Sequence, residues 1–410
     1  MSVSDSLVFK PKPASISGTT HRQSVPSYNG TTFSGHQTIL LNIPCGRRGH
    51  YLNTRMSYLR FKVVNTSVGG DLHPDYTAAS FIQSMSLYHG SNLLEQIHEY
   101  NALYHMMYDL QADTETHTRA GNILHGSSSN TPRTGTKIEK GGSFSAYYCI
   151  PILSGIIGPL QSKYLPTGIM TGGDLRLELT LADLRSAGVV NPSPNAASWE
   201  ITDVELELEY VEVSSEVDRM IQQANPRYVI SFESFANYTN TIAVGESRLN
   251  KLIPARFSSL KTLYTMFRPA ADITDAHKKS VSNRVNPQLR NWYYQVSGEN
   301  IPATPVRENV ESFAELQKAQ HLLGSVNISG LIERATYYNT DSSGQCSFAI
   351  GQNLETLSHK STLTESGKNT LNTNCYLLGD CTPAAALQMS TFAHFDAVMV
   401  IENGVATSAF

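Results

Sequence analysis

The sequence predicts an all-β protein: two tandem eight-stranded jelly rolls (a double jelly roll), with a short helix inserted in each and a short linker helix between them. Three observations carry that prediction. Short runs rich in β-branched and aromatic residues recur between Gly, Pro, Asn and Ser. One of them, "DVELELEYVEV" (203–213), alternates strictly: Val204, Leu206, Leu208 and Tyr210 share one face, Glu205, Glu207 and Glu209 the other. The order of elements over 37–213 then recurs over 227–410.

Residues 1–36 are rich in Ser, Thr, Gly and Pro and read as an arm with no core of its own. Their Lys and Arg content is Lys10, Lys12 and Arg22. The first jelly roll, 37–213, follows with strand-like runs "TILLNIP" (38–44), "SYLRFKVVN" (57–65), "SFIQSMSLYHG" (80–90), "FSAYYCIPI" (144–152) and "DLRLELTLAD" (174–183). The phase change at Val211 and Val213 predicts a bulge or a strand end near Tyr210. "SSEVDRMIQQANP" (214–226) is the linker helix, started by a capping-box-like Ser215 and Asp218 and stopped by Asn225-Pro226.

The second jelly roll, 227–410, carries "RYVISFESFANYT" (227–239), "LKTLYTMFRPA" (260–270), "QLRNWYYQVSG" (288–298), "CSFAIGQNLE" (346–355) and "TFAHFDAVMVIENG" (391–404). In the last run Ala393, Phe395, Ala397, Met399 and Ile401 form a purely apolar phase, the expected core face. The halves correspond in order. Each has a strand ending in Ile-Pro (Ile43-Pro44, Ile253-Pro254), then an aromatic strand, then a strand ending in Gly-x-Asn (Gly90-Ser91-Asn92, Gly298-Glu299-Asn300). A helical segment follows, near 96–110 and near 308–323, and a long alternating strand closes each half.

Composition narrows the function. The chain has 410 residues, a formal charge of -4 and 16% charged residues, below the roughly 25% of ordinary globular chains. So mild a balance excludes a strongly basic nucleic-acid binder. Few charges and twenty Tyr suit a chain that hides surface in large subunit contacts. Five Cys (45, 149, 346, 375, 381) form no C-x-x-C and read as reduced thiols. No apolar run approaches the ~20 residues of a membrane span, and no signal peptide is expected at the start. Four N-x-S/T triplets occur, at Asn29, Asn65, Asn237 and Asn327.

The densest chemistry lies in "HGSNLLEQIHEYNALYHMMYDLQAD", which packs Glu95, His98, Glu99, His105 and Asp109 into fifteen residues. On one helix His98 and His105 would lie roughly 10 Å apart along the axis, too far to share a zinc ion. Ile97, Tyr100, Leu103/Tyr104 and Met107/Tyr108 recur at helical spacing, so the stretch reads as a packed structural helix. Glu205, Glu207 and Glu209 read as a solvated face or as salt-bridge partners of a neighbouring subunit. "SGKNT" (366–370) lacks the phosphate-loop spacing. Cys375 and Cys381 read as buried thiols. No catalytic, cofactor-binding or metal-binding residue is expected, and the chain is not expected to be an enzyme.

"IPCGRRGHYLNTRMSYLRFKVVN", "SLYHGSNLLEQIHEYNALYHMMYDL" and "AHFDAVMVIENGV" resemble the double jelly-roll major capsid proteins of the adenovirus-type lineage, most like those of polinton-like viruses, adintoviruses and virophages. The resemblance covers nearly the whole chain after the arm. It implies a homotrimer with a pseudo-hexagonal footprint that tiles an icosahedral shell around a DNA genome, inside the virion. Implied partners are the chain itself, neighbouring capsomers, a penton protein and minor capsid proteins. Sequence-specific nucleic-acid binding is not implied, and contact with a genome or an internal membrane is only indirect. The arm would tie subunits together, and loops near 114–142 and 271–286 would face outward or between capsomers. Two other readings stay open: a tandem β-sandwich carbohydrate-binding protein, and a double jelly-roll amide hydrolase acting on glycans.

Overall fold

A computed structural model describes residues 18–67, 70–128, 135–139, 146–183, 189–190, 198–225, 227–275, 278–323, 330–341, 345–356 and 367–410. Lobe 1 is a sandwich of two antiparallel sheets. Its strands are β1 (Gly18–Pro26), β2 (Thr38–Ile43), β3 (His50–Asn65), β4 (Ile82–His89), β5 (Asn92–His98), β6 (Ala146–Ile150), β7 (Leu175–Leu181) and β8 (Trp199–Val213). One sheet runs β1-β8-β3-β6, the other β2-β7-β4-β5. Helix α1 (Tyr100–Gln111) follows β5.

Lobe 2 repeats this arrangement with β9 (Tyr228–Ile242), β10 (Arg248–Ile253), β11 (Leu260–Pro269), β12 (Asn291–Val296), β13 (Glu299–Val306), β14 (Ala349–Asn353), β15 (Cys375–Asp380) and β16 (Leu387–Glu402). The sheets run β9-β16-β11-β14 and β10-β15-β12-β13, the same path strand for strand. The linker helix is α2 (Ser215–Ala224), and α3 (Asn309–Ala319) follows β13 as α1 follows β5. A last strand, β17 (Val405–Ala409), pairs with the end of β16.

Alternation sets which side chains fill the sandwiches. In β16 the predicted apolar phase Ala393, Phe395, Ala397, Met399 and Ile401 is buried throughout. Leu59, Phe61 and Val63 of β3 and Leu175, Leu177 and Leu179 of β7 are 0–2% exposed. In lobe 2 the Thr265 hydroxyl on β11 meets the Tyr294 hydroxyl on β12 at 2.8 Å, tying the two sheets across the core.

Four expectations change. First, the arm is shorter than residues 1–36. Gly18–Pro26 pairs with β8 along its whole length, from Gly18 opposite Val213 to Pro26 opposite Glu205, and Val25 and Phe33 are buried. These residues complete the eight strands of lobe 1, which therefore starts before residue 37. Residues 1–17, with Lys10 and Lys12, lie outside the described residues.

Second, the helix expected near 96–110 begins only at Tyr100. Gly90 (φ 59) turns the chain into a hairpin, and 92–98 pairs with β4 instead. Gly298 (φ 82) does the same ahead of β13, so both Gly-x-Asn marks are hairpin turns. Third, β8 runs straight through Tyr210 to Val213. Its irregularities come earlier, between Thr202 and Glu205, where Asp203 has φ 52, and between Glu207 and Glu209. Fourth, Ser214 rather than Ser215 caps α2: its Oγ accepts from the Val217 amide, while Asp218 accepts from the Tyr51 hydroxyl at 2.9 Å. Pro226 lies outside the described residues.

Candidate functional site, a polar joint between the lobes

The acids of 95–109 do not gather around a common centre. Each reaches into lobe 2. Glu95, on β5 and 1% exposed, accepts from the Ser234 hydroxyl on β9 (2.7 Å), the Gly155 amide (3.0 Å) and the Ser154 hydroxyl. Burial pushes its carboxyl above the usual range, against those three hydrogen bonds. Glu99 stands at the N-terminal boundary of α1 with φ 48. It accepts from Arg268 Nη2 on β11 (2.6 Å), from Gln388 (2.7 Å) and Ser390 (2.7 Å) on β16, and from Asn237 Nδ2 on β9 (3.1 Å). Asp109 pairs with Arg284, both side chains fully buried. A fourth acid, Asp75, accepts from the Val281 and Ser282 amides at 2.8 and 3.0 Å.

Backbone contacts extend the joint. A Cβ on Gly155 would come within 2.0 Å of the Glu233 carbonyl oxygen, so glycine is what lets the 154–158 loop lie against β9. From lobe 2, β17 returns to lobe 1. The Ala406 amide donates to His89 Nδ1 (3.0 Å), Asn92 Nδ2 donates to the Ala406 carbonyl (3.2 Å), and the Ser408 hydroxyl donates to the Leu93 carbonyl (3.1 Å).

The two histidines of the stretch part company. His98 is exposed at the end of β5. His105 is buried in α1, its Nε2 accepting from the Thr77 amide at 3.2 Å, and burial draws its pKa down to about 4. Among the described residues no three His, Cys, Asp or Glu side chains are placed to hold a metal ion.

The Glu205–Glu207–Glu209 face is neither simply solvated nor left for another subunit. Its partners are on neighbouring strands: Arg60 for Glu205, Asn53 for Glu209 (3.0 Å), and Arg22 (2.6 Å) and Ser24 (2.9 Å) of β1 for Glu207. Glu207 is 3% exposed, and Arg22 holds its carboxyl below the usual range. In lobe 2, Lys261 sits among Glu233 (2.5 Å), Glu355 (3.3 Å) and Asp396 (3.7 Å).

The remaining sequence candidates are structural. All five cysteines are free thiols, and burial pushes Cys375 and Cys381 up to about 11. Of "SGKNT", Ser366 is outside the described residues. The Gly367 amide donates to Ser259 Oγ, and Lys368 pairs with Glu299. Three of the four sequons use their amides internally. Asn29 donates to the Thr38 carbonyl, Asn65 to those of Gly70 and Ile138, and Asn237 to Glu99. Asn327 lies outside the described residues. No helix among the described residues is long and apolar enough to cross a membrane.

Sequence reasoning missed the lobe 2 half of the joint. Arg268 carried the one available signal. It is the lone charge closing the otherwise uncharged run "LYTMFR", and a charge there needs a partner.

No protein-family model and no curated protein matches the sequence. Solved structures do match in fold. VP54 of PBCV-1, fitted into a cryo-EM reconstruction of the virophage Sputnik, aligns over 98% of both chains with a TM-score of 0.65 at 13% identity. The Faustovirus major capsid protein aligns over 97% of this chain and 92% of its own, with a TM-score of 0.62 at 9% identity. The mavirus major capsid protein aligns over 100% and 93%, with a TM-score of 0.56 at 8% identity.

Proposed function

We propose that the chain is a viral major capsid protein, which self-assembles as a pseudo-hexagonal homotrimer and tiles an icosahedral shell around a DNA genome. One observation carries the reading: two complete jelly rolls with identical strand order, locked together by a buried polar joint, span nearly the whole of capsid proteins of the same double fold. A chain built this way presents two like lobes, so three chains supply six positions around an axis. The work is assembly rather than catalysis. The partners are further copies of the chain, neighbouring capsomers, and the penton and minor proteins that close such a shell; the protein resides in the virion capsid.

The test is mass in solution, followed by imaging. Purified protein should run as three chains of 45.0 kDa by light scattering and show hexagonal capsomers or particles in negative stain. A monomer that binds glycans would favour the carbohydrate-binding reading and refute this one.

A further inference from the structure

Lobe 1 grips lobe 2 at several places, and one of those grips turns on a histidine. The turn 75–77 is buried throughout: Asp75, Tyr76 and Thr77 are 0–1% exposed, and Tyr76 sits at φ 81. Its two ends are held from opposite sides. Asp75 takes the Val281 and Ser282 amides of lobe 2 (2.8 and 3.0 Å) and the Ser282 hydroxyl. Thr77 is tied to α1 of lobe 1. Its amide donates to His105 Nε2 at 3.2 Å. Its hydroxyl accepts from the Ala79 amide at 3.3 Å and lies 2.9 Å from the same nitrogen. Between them the Tyr76 ring stacks on the His105 ring at 5.6 Å.

A backbone amide can only donate, so Nε2 must present a lone pair and His105 must be neutral. A proton on Nε2 would face the Thr77 N–H donor to donor, in a site where His105 is fully buried. Charged groups approach from each side. The Asp75 and Asp109 carboxylates favour an imidazolium, and Arg284 of lobe 2 opposes it. Both carboxylates are already engaged by lobe 2, Asp75 by two amides and Asp109 by Arg284. Burial outweighs their pull and holds His105 at about 4. Two more histidines pack on the same rings. His125 meets Tyr104 and Tyr108 (6.3 and 5.6 Å), and its carbonyl takes the Ala78 amide (2.8 Å); His117 meets Tyr76 and Tyr108 (5.4 and 5.9 Å). Burial holds His125 at about 4 as well.

We propose that acid unlatches one side of the lobe joint: a proton on His105 expels Thr77, the 75–77 turn moves, and Asp75 releases Val281 and Ser282. The folded value of His105 is depressed, so the stability it contributes is full above about 6.5 and is lost as pH falls toward about 4. Glu95 has the opposite sign. Burial raises its carboxyl, so its contribution is full in acid. The lobes therefore pivot about the contact of β5 with β9 instead of parting. The latch belongs to a single chain and is independent of the assembly reading.

Hydrogen exchange on the full chain, followed by mass spectrometry and corrected for the intrinsic pH dependence of exchange, tests it. Opening linked to one proton should rise about tenfold per unit of pH between about 6.5 and about 4, roughly 300-fold in all. Peptides over 75–81 and 278–282 should lose protection together, while those over 92–98 and 393–401 keep theirs. His105→Gln places an amide oxygen near the position of Nε2, an acceptor that takes up no proton, and should flatten the dependence in both peptides. His125→Gln should leave the coupled loss in place. Protection at 75–81 that ignores pH, loss there without loss at 278–282, or a dependence that survives His105→Gln overturns the proposal. So does a dependence abolished by His125→Gln, or loss over 393–401 at the same pH, which is unfolding and not release. If His105→Gln fails to fold, the wild type decides: two peptides that open at different pH overturn the latch.

Discussion

Removing Asp109 should be among the most damaging single changes in the chain. Its partner Arg284 is fully buried, and the pair joins α1 of lobe 1 to a segment of lobe 2. Asp109→Ala takes the carboxylate away from a guanidinium that stays out of water. Breaking one side of such a pair costs about 3–5 kcal/mol, a factor of about a hundred to several thousand in the folding equilibrium. For a lobe of this size that is a fall in Tm of order 10 °C. Replacing both partners with apolar residues of similar bulk, Asp109→Leu with Arg284→Met, removes the stranded charge and should recover most of the loss. Urea unfolding reads this out lobe by lobe, since Trp199 is buried in lobe 1 and Trp292 in lobe 2, and a Trp→Phe change at either isolates the other. Both transitions should move in Asp109→Ala, because the pair spans the lobes. A loss below about 1 kcal/mol, or a combined variant no more stable than the single one, would refute the reasoning.

Three further outcomes follow from the same geometry. Glu95 binds its proton more tightly folded than unfolded, so wild type loses stability as pH rises from the ordinary carboxylate range through the raised folded value. Glu95→Gln should lack that loss, and melting curves from acid to neutral pH that stay parallel for the two proteins would count against it. Glu207→Ala removes the side-chain anchor of β1, so amide exchange over 18–26 should quicken while that of β7 stays unchanged; equal exchange would mean that the backbone ladder alone holds the strand. Gly155→Ala drives a methyl group into the Glu233 carbonyl oxygen and should cost about 2 kcal/mol or more in thermal unfolding, against a few tenths for an exposed site.

The strands were legible because burial on one side writes a period of two into the sequence. β16 shows this best, its apolar phase emerging residue for residue as the core face. β1 was illegible for the opposite reason. "GTTHRQSVP" buries Val25 alone, and its place is fixed by a backbone ladder and by Arg22 reaching Glu207, 185 positions away. Residues 96–98 misled because Ile97 continues the helical spacing of Tyr100 and Tyr104. The turn at Gly90 decides the matter, pairing Leu93 with Tyr88 and Ile97 with Met85; Leu94 falls at the bulge between them, and Leu94 and Ile97 are both buried. The joint was almost illegible. Glu95 meets Ser234 and Glu99 meets Arg268 across 139 and 169 positions, and apart from the charge of Arg268 the sequence holds no local sign of either.

An apolar joint would bind the lobes as tightly, so the polarity of this one calls for a physical reason. Apolar contact is non-directional, and two greasy faces can slide by a residue at small cost. Glu99 cannot slide. Its two oxygens take four donors from β9, β11 and β16, and a shift by one residue along any of these strands leaves the half-buried carboxylate or the buried Arg268 unmatched. That mismatch costs several kcal/mol, so one register is populated. Replacing Glu99 with Leu and Arg268 with Met together should therefore leave a folded chain of near wild-type Tm whose lobes no longer hold a single orientation. Small-angle scattering at a concentration below trimer dissociation should broaden, and capsomers in negative stain should lose their uniform outline. If the double variant instead builds capsomers as regular as those of the wild type, register is set elsewhere, with β17 clamped between His89, Asn92 and Leu93 as the element to examine next.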